Sequence, residues 1–366
     1  MNLTFFGLTI SSSWGNGHAT PYRAIIRALH RMGHQVHFFE KDVPYYSSRR
    51  DFDSCDYCQL TIYSDWSAIR LKALAVAAES DAVITASFLP EGQRINDELL
   101  DLPRPLHVFY DLDTPVTLRR MAQDGVDYLR RDQLPAFDLV LSFTGGKTLE
   151  VLQKEYGARL AKPLYGCVDP EDYRRCAPSR EFACDLSYMG TYSADRQEKL
   201  NELLLEPARR NPRRQFLLAG SLYPWQWQWP ENVQRIEHVA PAEHAAFYSS
   251  SRLTLNLTRG QMAAGGWCPS GRFFEASACG TPLITDRWEG LDSFFDPRHD
   301  VHVVTCAKDV EDALKMPDSD LHAMAGRARK RTLDKHTGQV RARQLLHYLD
   351  EALSAKNESM HAEVAQ

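Results

Sequence analysis

The chain lacks a long hydrophobic run, an excess of charge of one sign, and a paired-cysteine framework. Each absence narrows what the protein does. No apolar stretch in the 366 residues approaches the roughly 18 that a membrane helix needs. Lysine and arginine total 43 against 48 aspartates and glutamates, a formal net charge of −5, so no basic field invites a nucleic acid. The local cluster Arg209-Arg210-Asn211-Pro212-Arg213-Arg214 reads as a solvated helix end and loop. The opening Leu3-Thr4-Phe5-Phe6-Gly7-Leu8-Thr9-Ile10 has no basic n-region and no cleavage site, which predicts a first strand and a cytoplasmic protein. Eight cysteines are scattered along the chain, and Cys55 and Cys58 form one C-x-x-C without a second pair at zinc spacing. Loop cysteines in a reducing compartment are expected. A G-x-G-x-x-G fingerprint is missing too, which disfavours a dinucleotide oxidoreductase.

What is present is a soluble α/β pattern, 43% apolar and 25% charged, in a length that suits two domains better than one core. After strand 3–10 comes Ser11-Ser12-Ser13-Trp14-Gly15-Asn16-Gly17-His18, then a helix over 22–32 and a strand over 36–39. This is a βαβ unit with a Gly-rich turn at the carboxyl end of its first strand, where open α/β sheets bind ligands. A strand over 106–110 ends in Asp111-Leu112-Asp113-Thr114-Pro115. Carboxylates there can hold an acceptor hydroxyl or take its proton. Alternatively Asp113 simply caps the helix that Pro115 opens.

The strand–loop–helix logic restarts at residues 185–189, followed by Gly190-Thr191-Tyr192-Ser193, then Asp195 and Arg196. Arg196 is read either as a diphosphate partner or as one end of a surface ion pair. Trp225, Trp227 and Trp229 alternate, so they stack on a ligand or pack as an aromatic loop. A strand over 253–257 leads to Thr258-Arg259, and a small, Gly-rich stretch over 260–269 is expected to be a loop. The chain then reads Pro269-Ser270-Gly271-Arg272-Phe273-Phe274-Glu275-Ala276-Ser277-Ala278-Cys279-Gly280-Thr281-Pro282-Leu283-Ile284-Thr285-Asp286. Ser270 is placed to cap a helix that Gly280 stops before a short buried strand. The opening turn of such a helix gathers N–H donors suited to a diphosphate, and Arg272 adds a forked donor at the same end. Glu275, one turn on, can accept from sugar or ribose hydroxyls.

The block R-x-F-E-A-x-A-x-G-x-P-L-I-T-D, continued by Trp288-Glu289-Gly290-Leu291-Asp292-Ser293-Phe294-Phe295, resembles the CgeB-like family of glycosyltransferases. The segment Asp111–Thr117 is similar to that family as well. The resemblance implies a GT-B fold: two Rossmann-like domains facing a central cleft. Residues 1–165 would be the acceptor domain and 166–335 the nucleotide-sugar domain. A helix over 336–354 would cross back to the first domain, with a polar, frayed tail over 355–366. It further implies transfer from a nucleotide-diphosphate sugar, with no metal and no other cofactor. Gly190, Tyr192, Arg196, Arg259, Ser270, Gly271, Arg272 and Glu275 would bind the donor. Gly15, Asn16, Gly17 and Asp111 would lie on the acceptor side, with His18 and Asp113 as catalytic candidates. His18 as a loop-capping group is the competing reading. The acceptor is left open among saccharide, lipid, protein and small molecule. One departure stands out: in E-x7-E counted back from Glu275 the first acid is replaced by Trp267. An NDP-sugar epimerase, or a sugar-nucleotide binding protein without turnover, is the alternative.

Overall fold

The computed structural model describes residues 1–224 and 226–364. The chain divides into two compact units, one of Met1–Tyr165 with the segment from Gly338 onward, the other of Gly166–Thr337.

Unit 1 carries a seven-stranded parallel sheet of β1 (Asn2–Gly7), β2 (Gln35–Lys41), β3 (Gln59–Tyr63), β4 (Ala82–Ala86), β5 (Leu106–Asp111), β6 (Leu139–Ser142) and β7 (Ala161–Pro163), in the order β3-β2-β1-β4-β5-β6-β7. The central strands are buried on both faces, as runs such as Leu-Thr-Phe-Phe and Ala-Val-Ile-Thr-Ala require. Phe5 pairs with Phe38 and Phe6 with Phe39, the latter rings stacked 4.9 Å apart. Helix Ala19–Arg31 buries Tyr22, Ile25, Ile26 and Leu29, the stripe its 3.6-residue period creates. It starts three residues before the apolar pattern does, because Pro21 fits a first helical turn.

Helix Gly338–Val364 belongs to unit 1 and packs on helix Ala19–Arg31. The packing is so close that a Cβ at Gly338 would lie 2.2 Å from the Ala24 carbonyl oxygen. The expected frayed tail from residue 355 is corrected: the described residues stay helical to Val364. The segment contains neither Gly nor Pro, and Lys356 Nζ holds it to the Pro105 carbonyl and to Asp138, each at 3.0 Å.

Unit 2 carries a six-stranded parallel sheet of β8 (Cys184–Met189), β9 (Phe216–Ala219), β10 (Val233–Ile236), β11 (Ser251–Asn256), β12 (Leu283–Thr285) and β13 (His302–Val303), in the order β10-β9-β8-β11-β12-β13. Both sheets follow the same winding: the chain moves outward on one side of the first strand, then returns to its other side. The reversal falls between β1 and β4 in unit 1 and between β8 and β11 in unit 2. At such a switch point the loops leaving the two strand ends diverge and open a ligand crevice. The core of unit 2 gathers Leu186, Tyr188, Leu203, Leu218, Leu253 and Ile284.

One local expectation differs from the structure, and one helix is irregular. Within the stretch expected as a loop, Gly260–Gly265 is a short helix. The helix opening at Ala194 widens into a π turn over Asn201–Leu205 before Glu206–Arg210. Pro207 supplies no N–H for the regular i→i−4 bond, which is where the helix departs from α geometry. Among the described residues, no helix is long and apolar enough to cross a membrane.

Candidate functional site

In unit 2 the loops at the switch point bring together three guanidinium groups from three elements. Arg196 lies on helix Ala194–Leu200 behind the β8 loop, Arg259 follows β11, and Arg272 sits in the first turn of helix Gly271–Ala278. Asp286, just past β12, ties the loops down: it accepts from the Thr258 N–H and hydroxyl, both at 3.0 Å, and from Lys199 Nζ at 2.6 Å.

Arg272 Nη1 donates to the Leu257 carbonyl at 3.4 Å, and its guanidinium lies 5.3 Å from the Tyr188 ring centre. The β8 loop leaves no spare room beside it. A Cβ on Gly190 would stand 2.9 Å from Arg272 Nη2 and 2.7 Å from Tyr188 Oη. Arg196 is only 9% exposed; its Nη2 donates to the Thr191 carbonyl, and its buried Nε has no partner among the described residues. Arg259 Nε lies 3.7 Å from Asp195.

These charges sense one another. Burial lowers the pKa of Arg196, and the positive charges of Arg272 and Arg259 lower it further. Arg272 also loses hydration, but Tyr188, Tyr248 and Glu275 around it outweigh that loss and raise its pKa. Glu275 is 8% exposed and accepts from Tyr248 Oη at 3.0 Å, which fixes its carboxylate at the inner side of the helix. Like charges gathered at a strand-end crevice favour an anion, which removes their mutual repulsion.

Ser270 stands at the N-cap position, but its hydroxyl makes no capping bond, correcting that expectation. The N–H it would have taken, that of Phe273, already donates to the Ser270 carbonyl at 3.0 Å. Gly271 follows and opens the helix. The Tyr192 ring packs against Tyr223 and Trp227, each at 5.6 Å, and Tyr223 donates to the Gly190 carbonyl at 3.0 Å. Trp227 and Trp229 belong to this aromatic cluster, while Trp225 lies outside the described residues. Trp267 takes φ +43° and donates its N–H to the Glu289 carbonyl at 2.6 Å. An indole against Gly290 therefore occupies the position of the missing acid.

Sequence reasoning missed Tyr188, Tyr223 and Tyr248. Their hydroxyls cluster around Arg272 only through packing, and a tyrosine in or beside a buried strand reads as core.

Unit 1 holds a second polar cluster at its own switch point. His18 Nε2 and Asp113 Oδ2 are 3.0 Å apart. The capping role for Asp113 is not taken up: it stands before helix Thr114–Met121, yet its side chain turns to His18 instead. His18 Nδ1 is buried and has no partner among the described residues. Asp111 is buried; its Oδ1 accepts from the Asp113 N–H and the Thr117 hydroxyl, both at 3.0 Å, and burial pushes its carboxyl up to about 6.

The loop between β1 and His18 is internally braced. Glu40 accepts from the N–H groups of Ile10 and Ser11. Asn16 donates to the carbonyls of Thr9 and Ser12 and accepts from the His18 N–H. Both ends of its amide are thus committed within the loop, so Asn16 shapes the turn that Gly15 and Gly17 flank and has little left to offer an acceptor.

Residues 196–347 match the family model described as glycosyl transferase-like. No curated protein matches the chain. Solved structures resemble it over nearly their whole length. Sucrose-phosphate synthase from Thermosynechococcus elongatus is 14% identical, covering 97% of this chain and 100% of that one, with a TM-score of 0.66. An alpha-glucosyltransferase in complex with UDP-glucose and DNA containing an abasic site is 14% identical, covering 96% and 99%, with a TM-score of 0.73. Anabaena Alr3699/HepE in complex with UDP and glucose is 13% identical, covering 96% and 100%, with a TM-score of 0.64. At these identities the likeness is one of fold, and the fold is GT-B.

Proposed function

We infer that this chain, a glycosyltransferase by its GT-B fold and by the family model over residues 196–347, binds its nucleotide-diphosphate sugar in unit 2 around Arg272. The observation that carries this is the convergence of Arg196, Arg259 and Arg272 at the β8/β11 switch point. In the reaction the bond from the sugar's anomeric carbon to the diphosphate breaks, and negative charge builds on the leaving oxygen. Arg272 and Arg259 offer that oxygen N–H donors, and the opening N–H groups of helix Gly271–Ala278 add to them. Positive charge is thus supplied by side chains, and the proposal is metal-independent. Glu275, held by Tyr248, accepts from donor hydroxyls, and Tyr192 lines the β8 loop.

A uridine diphosphate sugar is the first donor to test, because UDP or UDP-glucose occupies the similar alpha-glucosyltransferase and HepE structures. The R-x-F-E-A block supports a CgeB-like relationship. Free thiols throughout the chain support a cytoplasmic setting. The acceptor is a saccharide, lipid, protein or small molecule.

In unit 1 His18 is the proposed base. The tautomer that donates Nε2–H to Asp113 leaves Nδ1 to take the acceptor's proton, and Asp113 then stabilises the imidazolium.

Isothermal titration with UDP, GDP and dTDP tests the donor site. Arg272→Ala should weaken the best ligand by about 10- to 150-fold, the span of a lost charge-assisted bond worth about 1.5–3 kcal/mol. Unchanged affinity would remove the site. Trp267 in place of the acid favours one second reading, binding without turnover. Release of free sugar or of nucleoside diphosphate in the presence of candidate acceptors decides against it.

A further inference from the structure

The connection from β2 to β3 contains the C-x-x-C pair, which plays no part in the reaction above. Cys55 Sγ and Cys58 Sγ lie 3.2 Å apart, and Cys55 Sγ also reaches the Cys58 carbonyl at 3.7 Å. Both side chains are half-buried, flanked by exposed Ser54, Asp56 and Gln59. Cys55 is itself partly exposed to solvent, and Cys58 borders an open groove lined by Asn2, Gln35, His37 and Glu79. Among the described residues no group of three His, Cys, Asp or Glu is placed to hold a metal ion, so the pair lacks the further ligands of a zinc site.

The same segment clasps the loop that carries His18. The Asp51 N–H donates to the Ser11 carbonyl at 2.8 Å, and the Asp51 carboxylate accepts from the Ser13 N–H at 2.9 Å and from Arg23 at 2.6 Å. Arg23 and Arg27, on helix Ala19–Arg31, lie over the rings of Phe52 and Tyr57. Whatever stiffens residues 51–58 therefore acts on residues 8–18.

We propose that Cys55 and Cys58 form a reversible dithiol–disulfide site that exchanges with small disulfides of the glutathione class, and that its closure stiffens the clasp on residues 8–18. Cys55 makes the first attack. The Cys58 thiol bonded to it holds its pKa down at about 6, and the same bond, with burial, pushes Cys58 up. That hydrogen bond favours the Cys55 thiolate, the form that attacks. It displaces one glutathione thiolate from oxidised glutathione and forms a mixed disulfide. The Cys58 sulfur attacks the Cys55 sulfur next and expels the second glutathione thiolate. Two protein thiols are oxidised, one disulfide is reduced to two thiols, and the cysteine protons end on the glutathione.

The test treats the reduced full-length chain with oxidised glutathione, quenches by alkylation and maps peptides by mass. Of the eight cysteines, two should become protected, both in the peptide spanning 51–58. C58S should stop at a glutathione adduct on Cys55, while C55S leaves Cys58 alkylatable. Full alkylation of both residues in the wild-type chain overturns the proposal. So does an adduct on Cys58 of C55S that forms as fast as the one on Cys55 of C58S. Hydrogen exchange on the oxidised wild-type chain reads the clasp: amides of residues 8–18 should exchange several-fold more slowly, and unchanged exchange refutes the coupling.

Discussion

Replacing Gly190 with alanine adds one methyl group and no charge, and it tests whether the position of Arg272 matters as much as its presence. The added carbon would stand 2.9 Å from Arg272 Nη2 and 2.7 Å from Tyr188 Oη. Relaxing both to ordinary van der Waals separation displaces the guanidinium and the phenol by about 0.5–1 Å. Both clashing atoms end side chains, so the fold accommodates the change at an overpacking cost of about 1–3 kcal/mol. The displaced guanidinium no longer matches a diphosphate. Losing a charge-assisted hydrogen bond worth about 1.5–3 kcal/mol predicts a loss of UDP affinity of about 10- to 100-fold. Isothermal titration measures that loss, and circular dichroism melting measures the stability cost beside it. The matched control is Gly17→Ala in unit 1, where a Cβ meets nothing within 4 Å; it should leave both affinity and melting temperature unchanged. Wild-type affinity in Gly190→Ala with a lowered melting temperature would refute the argument, because the crowding would then be real and the diphosphate indifferent to it.

Three further outcomes follow from the geometry. Burial pushes the Asp111 carboxyl up to about 6 in the folded chain, against 3.8 for the free side chain, so between these pH values the native state keeps a proton that the unfolded chain has released. Folding stability should therefore fall as pH rises through that window, by on the order of 3 kcal/mol in total. Asp111→Asn should flatten that part of a melting-temperature profile, and a profile as steep as wild type contradicts the assignment. His18→Ala should lower turnover by about 100- to 10,000-fold, the span of a lost general base, and leave UDP affinity within about twofold; equal losses in both would reassign His18 to structure. Gly338→Ala drives a methyl group into the Ala24 carbonyl, where only backbone movement relieves it, and should cost more than about 3 kcal/mol in chemical denaturation. A cost below about 1 kcal/mol would mean that the two helices separate easily.

Much of the fold was legible because its signals are local. Alternating strand and helix patterns, the Gly-rich turn after strand 3–10, the short loop after 185–189, and the absence of any G-x-G-x-x-G all follow from residues within a short window. The placement of Arg272 and Glu275 one turn apart on a single helix follows from 3.6-residue periodicity alone. The sequence alone also showed that Trp267 stands where an acid would complete E-x7-E.

Other features depend on contacts between distant parts of the chain. His18 and Asp113 are 95 positions apart, and whether Asp113 capped its own helix or reached His18 depended on which strands became neighbours. Arg196, Arg259 and Arg272 meet because β8 and β11 lie side by side in the sheet. The commitment of Asn16 to its own loop, the three tyrosines around Arg272 and the anchored helix beyond residue 355 likewise arose from packing. Periodicity determines which face of an element is buried. Strand order and the direction in which each polar side chain turns are settled only when elements pack, because that is where unpaired donors, acceptors and charges find their partners.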